Sequence, residues 1–118
     1  MAVVNIENLK LKSNVAGVVP ATVAVDAENG ALVDYSNKSD GRILVVIENS
    51  GGGANTATIK SGNGLQGTED LEISLEASEK KCIVVESGKF VNVYGDNAGK
   101  LVIMGADANI KVSAIELP

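Results

Sequence analysis

The chain has 118 residues, a formal net charge of −5 and no histidine. One domain of this size buries about two-thirds of its unfolded surface, and the acidic balance without a basic run argues against nucleic acid as a partner. Without imidazole, Ser-His-Asp and Cys-His catalysis and histidine metal sites are excluded, and the single cysteine, Cys82, permits neither an internal disulfide nor a thiolate zinc site.

Aromatic residues make up 3 % of the sequence (Tyr35, Phe90 and Tyr94), so the core is expected to be aliphatic. Thirteen glycines against two prolines favour many turns and little helix. The N-terminal residues lack the charged start and apolar stretch of a signal peptide. No segment approaches the roughly 18 apolar residues of a membrane span. The expectation is a soluble protein made in a cytoplasm, with no membrane partner.

In chain order, Val3 to Leu11 carries apolar residues (Val3, Val4, Ile6, Leu9 and Leu11) without clean alternation. It reads either as an edge strand or as an arm ordered on a partner. Val15 to Val19 is small and apolar up to Pro20, which cannot donate to a ladder, so the next strand is placed at Ala21 to Val25. Asp26 to Gly30 is a turn ending in Asn29-Gly30, a favoured site for positive φ. Ala31 to Tyr35 is a short strand. A polar turn, Ser36 to Gly41, closes on Asp40-Gly41.

Five branched apolar residues, Ile43 to Ile47, then run without interruption into Glu48-Asn49 and a Gly51-Gly52-Gly53 loop. The run is too short for a core helix, and its β-branching favours a strand. A strand with one wet face alternates, and this one does not, so both faces are expected to touch protein. Asn55 to Lys60 alternates with Ala57 and Ile59 on one face, and Ser61 to Asp70 is a long loop. Leu71, Ile73 and Leu75 oppose Glu72, Ser74 and Glu76 in the clearest half-buried strand. Cys82 to Val85 is expected as a mostly buried strand, with Cys82 acting as a small buried hydrophobe. Phe90 to Tyr94, Leu101 to Met104 and Ile110 to Leu117 complete the expected strands.

Eight to ten short strands separated by glycine-rich turns predict an all-β fold, a β-sandwich or jelly-roll-like domain spanning residues 1–118, with residues 1–14 as a possible extended N-terminal arm. Ile43 to Ile47, Cys82 to Val85 and Leu101 to Met104 offer more uninterrupted apolar strand than a small monomeric sandwich with wet outer faces needs. Either loops cover the surplus or another subunit does, since obligate interfaces resemble a core cut in half.

Candidate chemistry is sparse. Gly51-Gly52-Gly53 lacks the Gly-Lys-Ser/Thr ending and following helix of a phosphate loop and reads as a surface loop. Asp96-Asn97 and Asp107 with Asn109 lack the ordered alternation of a calcium loop and read as turns. Glu69-Asp70 and Glu72 with Glu76 are carboxylate pairs on a loop and a wet strand face, where solvation is the ordinary state. The expectation is no enzyme, no metal and no cofactor.

The segment Asp40-Gly41-Arg42-Ile43-Leu44-Val45-Val46-Ile47-Glu48-Asn49-Ser50-Gly51 resembles the DGR, hydrophobic strand, N-S-G segment of small virion proteins of tailed bacteriophages, which are similar to head decoration (capsid-stabilising) proteins. The order of Ser87-Gly88-Lys89-Phe90, a polar turn at Asp96 to Gly99, an apolar strand and the ending Ile110 to Pro118 is similar too. The likeness covers roughly Asp40 to Pro118. It implies a β-sandwich on the capsid surface of a virion, bound to the major capsid protein of a phage head, as a trimer or other homo-oligomer. No catalysis and no cofactor are implied. Alternatives are another phage part (a head-fibre base or tail accessory) and a bacterial surface adhesin module. In the decoration reading, Val3, Val4, Ile6, Leu9 and Leu11 are the expected partner-binding residues of the arm.

Overall fold

The computed structural model describes residues 3–35, 42–65 and 67–118. The expected turn at Ser36 to Gly41, with its Asp40-Gly41, lies outside them, as do Met1 and Ala2 at the start of the expected arm. Ten strands among the described residues form two sheets. The front sheet is ordered β1 (Val4–Ile6), β4 (Ala31–Asp34), β9 (Lys100–Gly105), β6 (Asn55–Ile59), β7 (Leu71–Leu75). The back sheet is ordered β2 (Asn8–Lys10), β10 (Ile110–Glu116), β5 (Ile43–Asn49), β8 (Lys80–Ile83), and β3 (Val23–Ala24) pairs with β10. The all-β, sandwich-like architecture expected from the turn spacing is the one observed.

Between the sheets lies an aliphatic core. Ile43, Val45 and Ile47 of β5 and Val112 and Ala114 of β10 meet Val33, Ile59, Leu101 and Ile103 of the front sheet. Each fully buried Val, Leu or Ile contributes about 1.5–3 kcal/mol of transfer free energy. Tyr35 is the aromatic residue buried among them.

The uninterrupted apolar strands hide an ordinary alternation. In β5 every second residue from Ile43 to Asn49 is buried, while Leu44, Val46 and Glu48 are half-buried on the outer face. Leu44 lies beside Ile115, and Val46 lies between Ser113 and Cys82. In β9, Leu101 and Ile103 point inward, whereas Val102 and Met104 are half-buried outward. The surplus apolar side chains therefore lie on both outer faces, flanked by their cross-strand neighbours.

Residues 3–11 explain their own poor pattern. β1 runs parallel to β4 at the edge of the front sheet, with Val4 and Ile6 beside the core residues Ala31 and Val33. At Glu7 the chain changes sheets, and β2 runs parallel to β10 with Leu9 beside Ile115 on the outer face. The alternation resets at the crossing, so neither a strand nor a helix period survives across it.

Three expectations are corrected. The strand placed at Cys82 to Val85 is β8 at Lys80–Ile83, an edge strand that is mostly exposed. Ile83 and the buried Val85 face inward, and Cys82 and Val84 face outward, so the apolar run straddles the strand end. Cys82 is therefore exposed, not a buried hydrophobe. Phe90 to Tyr94 is not a strand. Ser87–Phe90 forms one helical turn, α1, Val91 makes an isolated bridge to Leu101, and Val93 and Tyr94 are exposed. Asn63 takes the place of a ladder there: its Oδ1 accepts from Val93 N at 2.7 Å, and its Nδ2 donates to Tyr94 O at 2.9 Å.

The turn at Asp26 to Gly30 is as the sequence suggests. Asp26 Oδ2 accepts from Asn29 N at 2.9 Å, and Gly30 has φ +77°. A Cβ on Gly30 would lie 2.5 Å from Ile103 O, so both the conformation and the close approach to β9 demand glycine.

Candidate interaction surfaces

The residues expected in a docking arm divide into two groups. Ile6 is buried in the core, and Val4 packs against it. Leu9 and Leu11 are half-buried, with Gly17 of the following loop seated against both. Val3 is half-buried at the start of β1. In the folded chain Val4, Ile6 and Leu9 belong to the edge strands β1 and β2, Val3 and Leu11 adjoin their ends, and the structure does not gather the five into one exposed patch.

What stands exposed instead is the loop that follows. Lys12 to Val15 closes a tight turn through an isolated bridge, with Asn14 at φ 64°. From there the chain reaches β3 without a strand. Val18 and Val19 are 86 % and 78 % exposed, and Val15 is exposed as well. A groove of about 580 Å³ lies alongside, lined in part by Ile6, Asn8, Leu9, Pro20, Val23 and Ser113. The sequence shows this apolar stretch but carries no signal for its exposure. Branched residues before a proline look the same whether they enter a core or leave it.

A second exposed apolar group sits at the end of the sandwich where Ser61 to Asp70 meets the segment after α1. Leu65, Val93 and Tyr94 are all exposed, and Asn63 locks the two segments together. At the opposite end, polar side chains fasten the turns. Asn49 is fully buried: its Nδ2 donates to Gly53 O at 2.8 Å and Glu76 O at 3.1 Å, and its Oδ1 accepts from Gly51 N at 3.0 Å. The glycine loop is thus pinned from beneath.

Two of the candidate carboxylates, Asp107 and Asp70, are engaged in structure. Asp107 Oδ1 accepts from Asn109 N at 2.9 Å and from Asn55 Nδ2 at 3.1 Å, a turn contact. Asp70 is engaged by Lys60 Nζ at 2.8 Å and by Ser61 N at 2.7 Å. The Lys60 hydrogen bond, with that of Ser61, holds its carboxyl below the usual carboxylate range. Glu72 and Glu76 are exposed. Among the described residues, no three His, Cys, Asp or Glu side chains are grouped to hold a metal ion, and no helix is long and apolar enough to cross a membrane.

The fold and its surfaces define an all-β sandwich-like domain whose distinctive features are exposed apolar segments and strand edges. No protein-family model, curated protein or solved structure matches the chain.

Proposed function

We propose that this chain is a non-catalytic structural protein of a tailed-phage virion, docking on the outside of the head against the major capsid protein as a decoration protein. The observation that carries the reading is the exposed segment Val15 to Val19, whose valine side chains stand clear of the folded chain. Contiguous exposed apolar surface of this kind marks an interaction site. The likeness of Asp40 to Pro118 to phage decoration proteins supports the choice of a capsid as the partner. Homo-oligomeric assembly on the shell belongs to the same proposal. The docking element is placed on Val15, Val18 and Val19 rather than on Val3 to Leu11, because the latter residues are used in the sandwich edges.

Co-sedimentation with purified phage shells tests the reading. The wild-type chain should pellet with shells at a fixed stoichiometry, and a Val18→Asp/Val19→Asp variant should remain folded by circular dichroism yet stay in the supernatant. Failure of the wild type to bind shells, or unchanged binding by the variant, would overturn it. Pelleting with tails but not heads would transfer the role to a tail accessory protein.

A further inference from the structure

The two flanks of the sandwich are finished differently. On one flank the chain crosses from β1 to β2 at Glu7 and closes the gap between the sheets. On the other, β7 and β8 are the free edges of the two sheets, joined by the turn from Glu76 to Glu79. Between them an apolar groove of about 170 Å³ opens onto the core, lined by Ile47, Ile73, Lys81, Cys82 and Ile83. Lys81 crosses it: its Nζ donates to Ser74 O at 2.7 Å. That bond also shows which way β7 points its backbone. Ser74 turns its carbonyl to the free edge, and by the period of an antiparallel strand so does Glu72.

The charges on these two edges are opposite. Glu69, Glu72 and Glu76 lie on β7 and its ends, with Asp70 paired to Lys60, whereas β8 begins with Lys80 and Lys81, the latter beside Glu79 of the turn. We propose that this flank is the interface of a two-fold homodimer, in which β7 of each copy pairs antiparallel with β8 of the other.

Two symmetry axes could bring the flanks together. An axis perpendicular to the strands would set β7 against β7 and β8 against β8, placing carboxylates opposite carboxylates and lysines opposite lysines, which is unfavourable. An axis parallel to the strands sets the acidic edge against the basic one. Because β7 and β8 run in opposite directions, joined as they are by one turn, the new pairs are antiparallel. The same rotation aligns the inner face of each front sheet with the inner face of the other copy's back sheet. Both sheets then continue across the interface, and the grooves at Ile73 and Ile83 face each other over a shared core. The contact is self-complementary and closed, so it ends at two copies. Lys81 gives up the Ser74 carbonyl to a strand of the second copy. This inference stands apart from the capsid reading and differs from the trimer that the phage likeness implies.

Sedimentation equilibrium of the full chain, with cysteine cross-linking, tests it. The wild type should have twice the mass of one chain, and Ser74→Pro should have the mass of one. Proline at that position removes an N–H that faces the free edge and leaves the β6 ladder intact, so an unchanged circular dichroism spectrum checks the fold. Glu72→Cys and Ser74→Cys place a thiol on the outer side of β7, where Cys82 of the second copy lies on the continuing strand. At least one of them should oxidise to a covalent dimer, while the wild type, with Cys82 alone, should not. Within one copy Cys82 and these positions lie on opposite outer faces, so the bridge reports only the dimer. A wild-type mass of one chain or of three, or a covalent dimer formed through Cys82 alone, would overturn the proposal.

Discussion

Asn49 ends a strand of apolar residues, and its amide does what a longer loop would otherwise need several residues to do. It satisfies the carbonyls of Gly53 and Glu76 and the N–H of Gly51 from a fully buried position. Asn49→Ala removes the partner of all three groups and empties a fully buried side-chain position. The expected cost is roughly 1–3 kcal/mol, since each hydrogen bond lost contributes about 0.5–1.5 kcal/mol. A fall in the urea midpoint with an unchanged m-value checks it. At Asp70 the effect is smaller and depends on pH. Its carboxyl is held below the usual range by Lys60 and Ser61, so its contribution is present above the unfolded carboxylate pKa and is lost as pH falls through the lower folded value. The pair is largely exposed, which limits the contribution to at most about 1 kcal/mol. Urea titrations across the acid range should show Asp70→Asn losing less stability on acidification than the wild type. Added salt should shrink that difference.

At the scale of elements, β1 and β2 carry the consequence of the crossing at Glu7. Removing Met1 to Leu11 strips an edge from each sheet, uncovers the flank of β4 and β10 and deletes Ile6 from the core. The truncated chain should lose at least about 3 kcal/mol from burial and hydrogen bonding together, measured by thermal or urea unfolding. A truncated chain with unchanged stability would mean that these residues are a free arm after all. The strands that alternate plainly, such as β6 and β7, were legible because one periodic face was enough to place them. β5 and β9 were legible as strands, but their outer faces were not, since Leu44, Val46, Val102 and Met104 are apolar on the wet side. β8 was misplaced for the same reason. Cys82 and Val84 look like core in the sequence, and only the edge position of the strand exposes them. Phe90 to Tyr94 failed differently: a side-chain amide, Asn63, does the work of a neighbouring strand, and no local pattern announces that.

For the whole molecule, composition and turn spacing were sufficient to name the fold class, because an aliphatic, glycine-rich chain without helical period has few other ways to bury its side chains. The strand order was out of reach. Among the described residues, the consecutive strands that are hydrogen-bonded neighbours in a sheet are β6 and β7, and the other pairings join partners distant in sequence. The surfaces were legible in part. Surplus apolar residues were evident, but their distribution over two outer faces, an exposed loop at Val15 to Val19 and an open flank at β7 and β8 depends on that long-range assembly.

The parallel pairing of β2 with β10 has a mechanical meaning. These two strands are the ones nearest the two ends of the chain in the back sheet, and they run in the same direction with Asn8, Leu9 and Lys10 beside Ala114, Ile115 and Glu116. Tension applied between the ends therefore slides one strand along the other and loads their hydrogen bonds together. Antiparallel strands pulled apart from a common end would open one bond at a time. The β1–β4 pair, also parallel, resists the same pull in the front sheet. Yielding under force is governed by the rate of crossing an unfolding barrier. A sandwich bracketed in this way should hold against sustained strain along its termini better than its number of edge hydrogen bonds suggests.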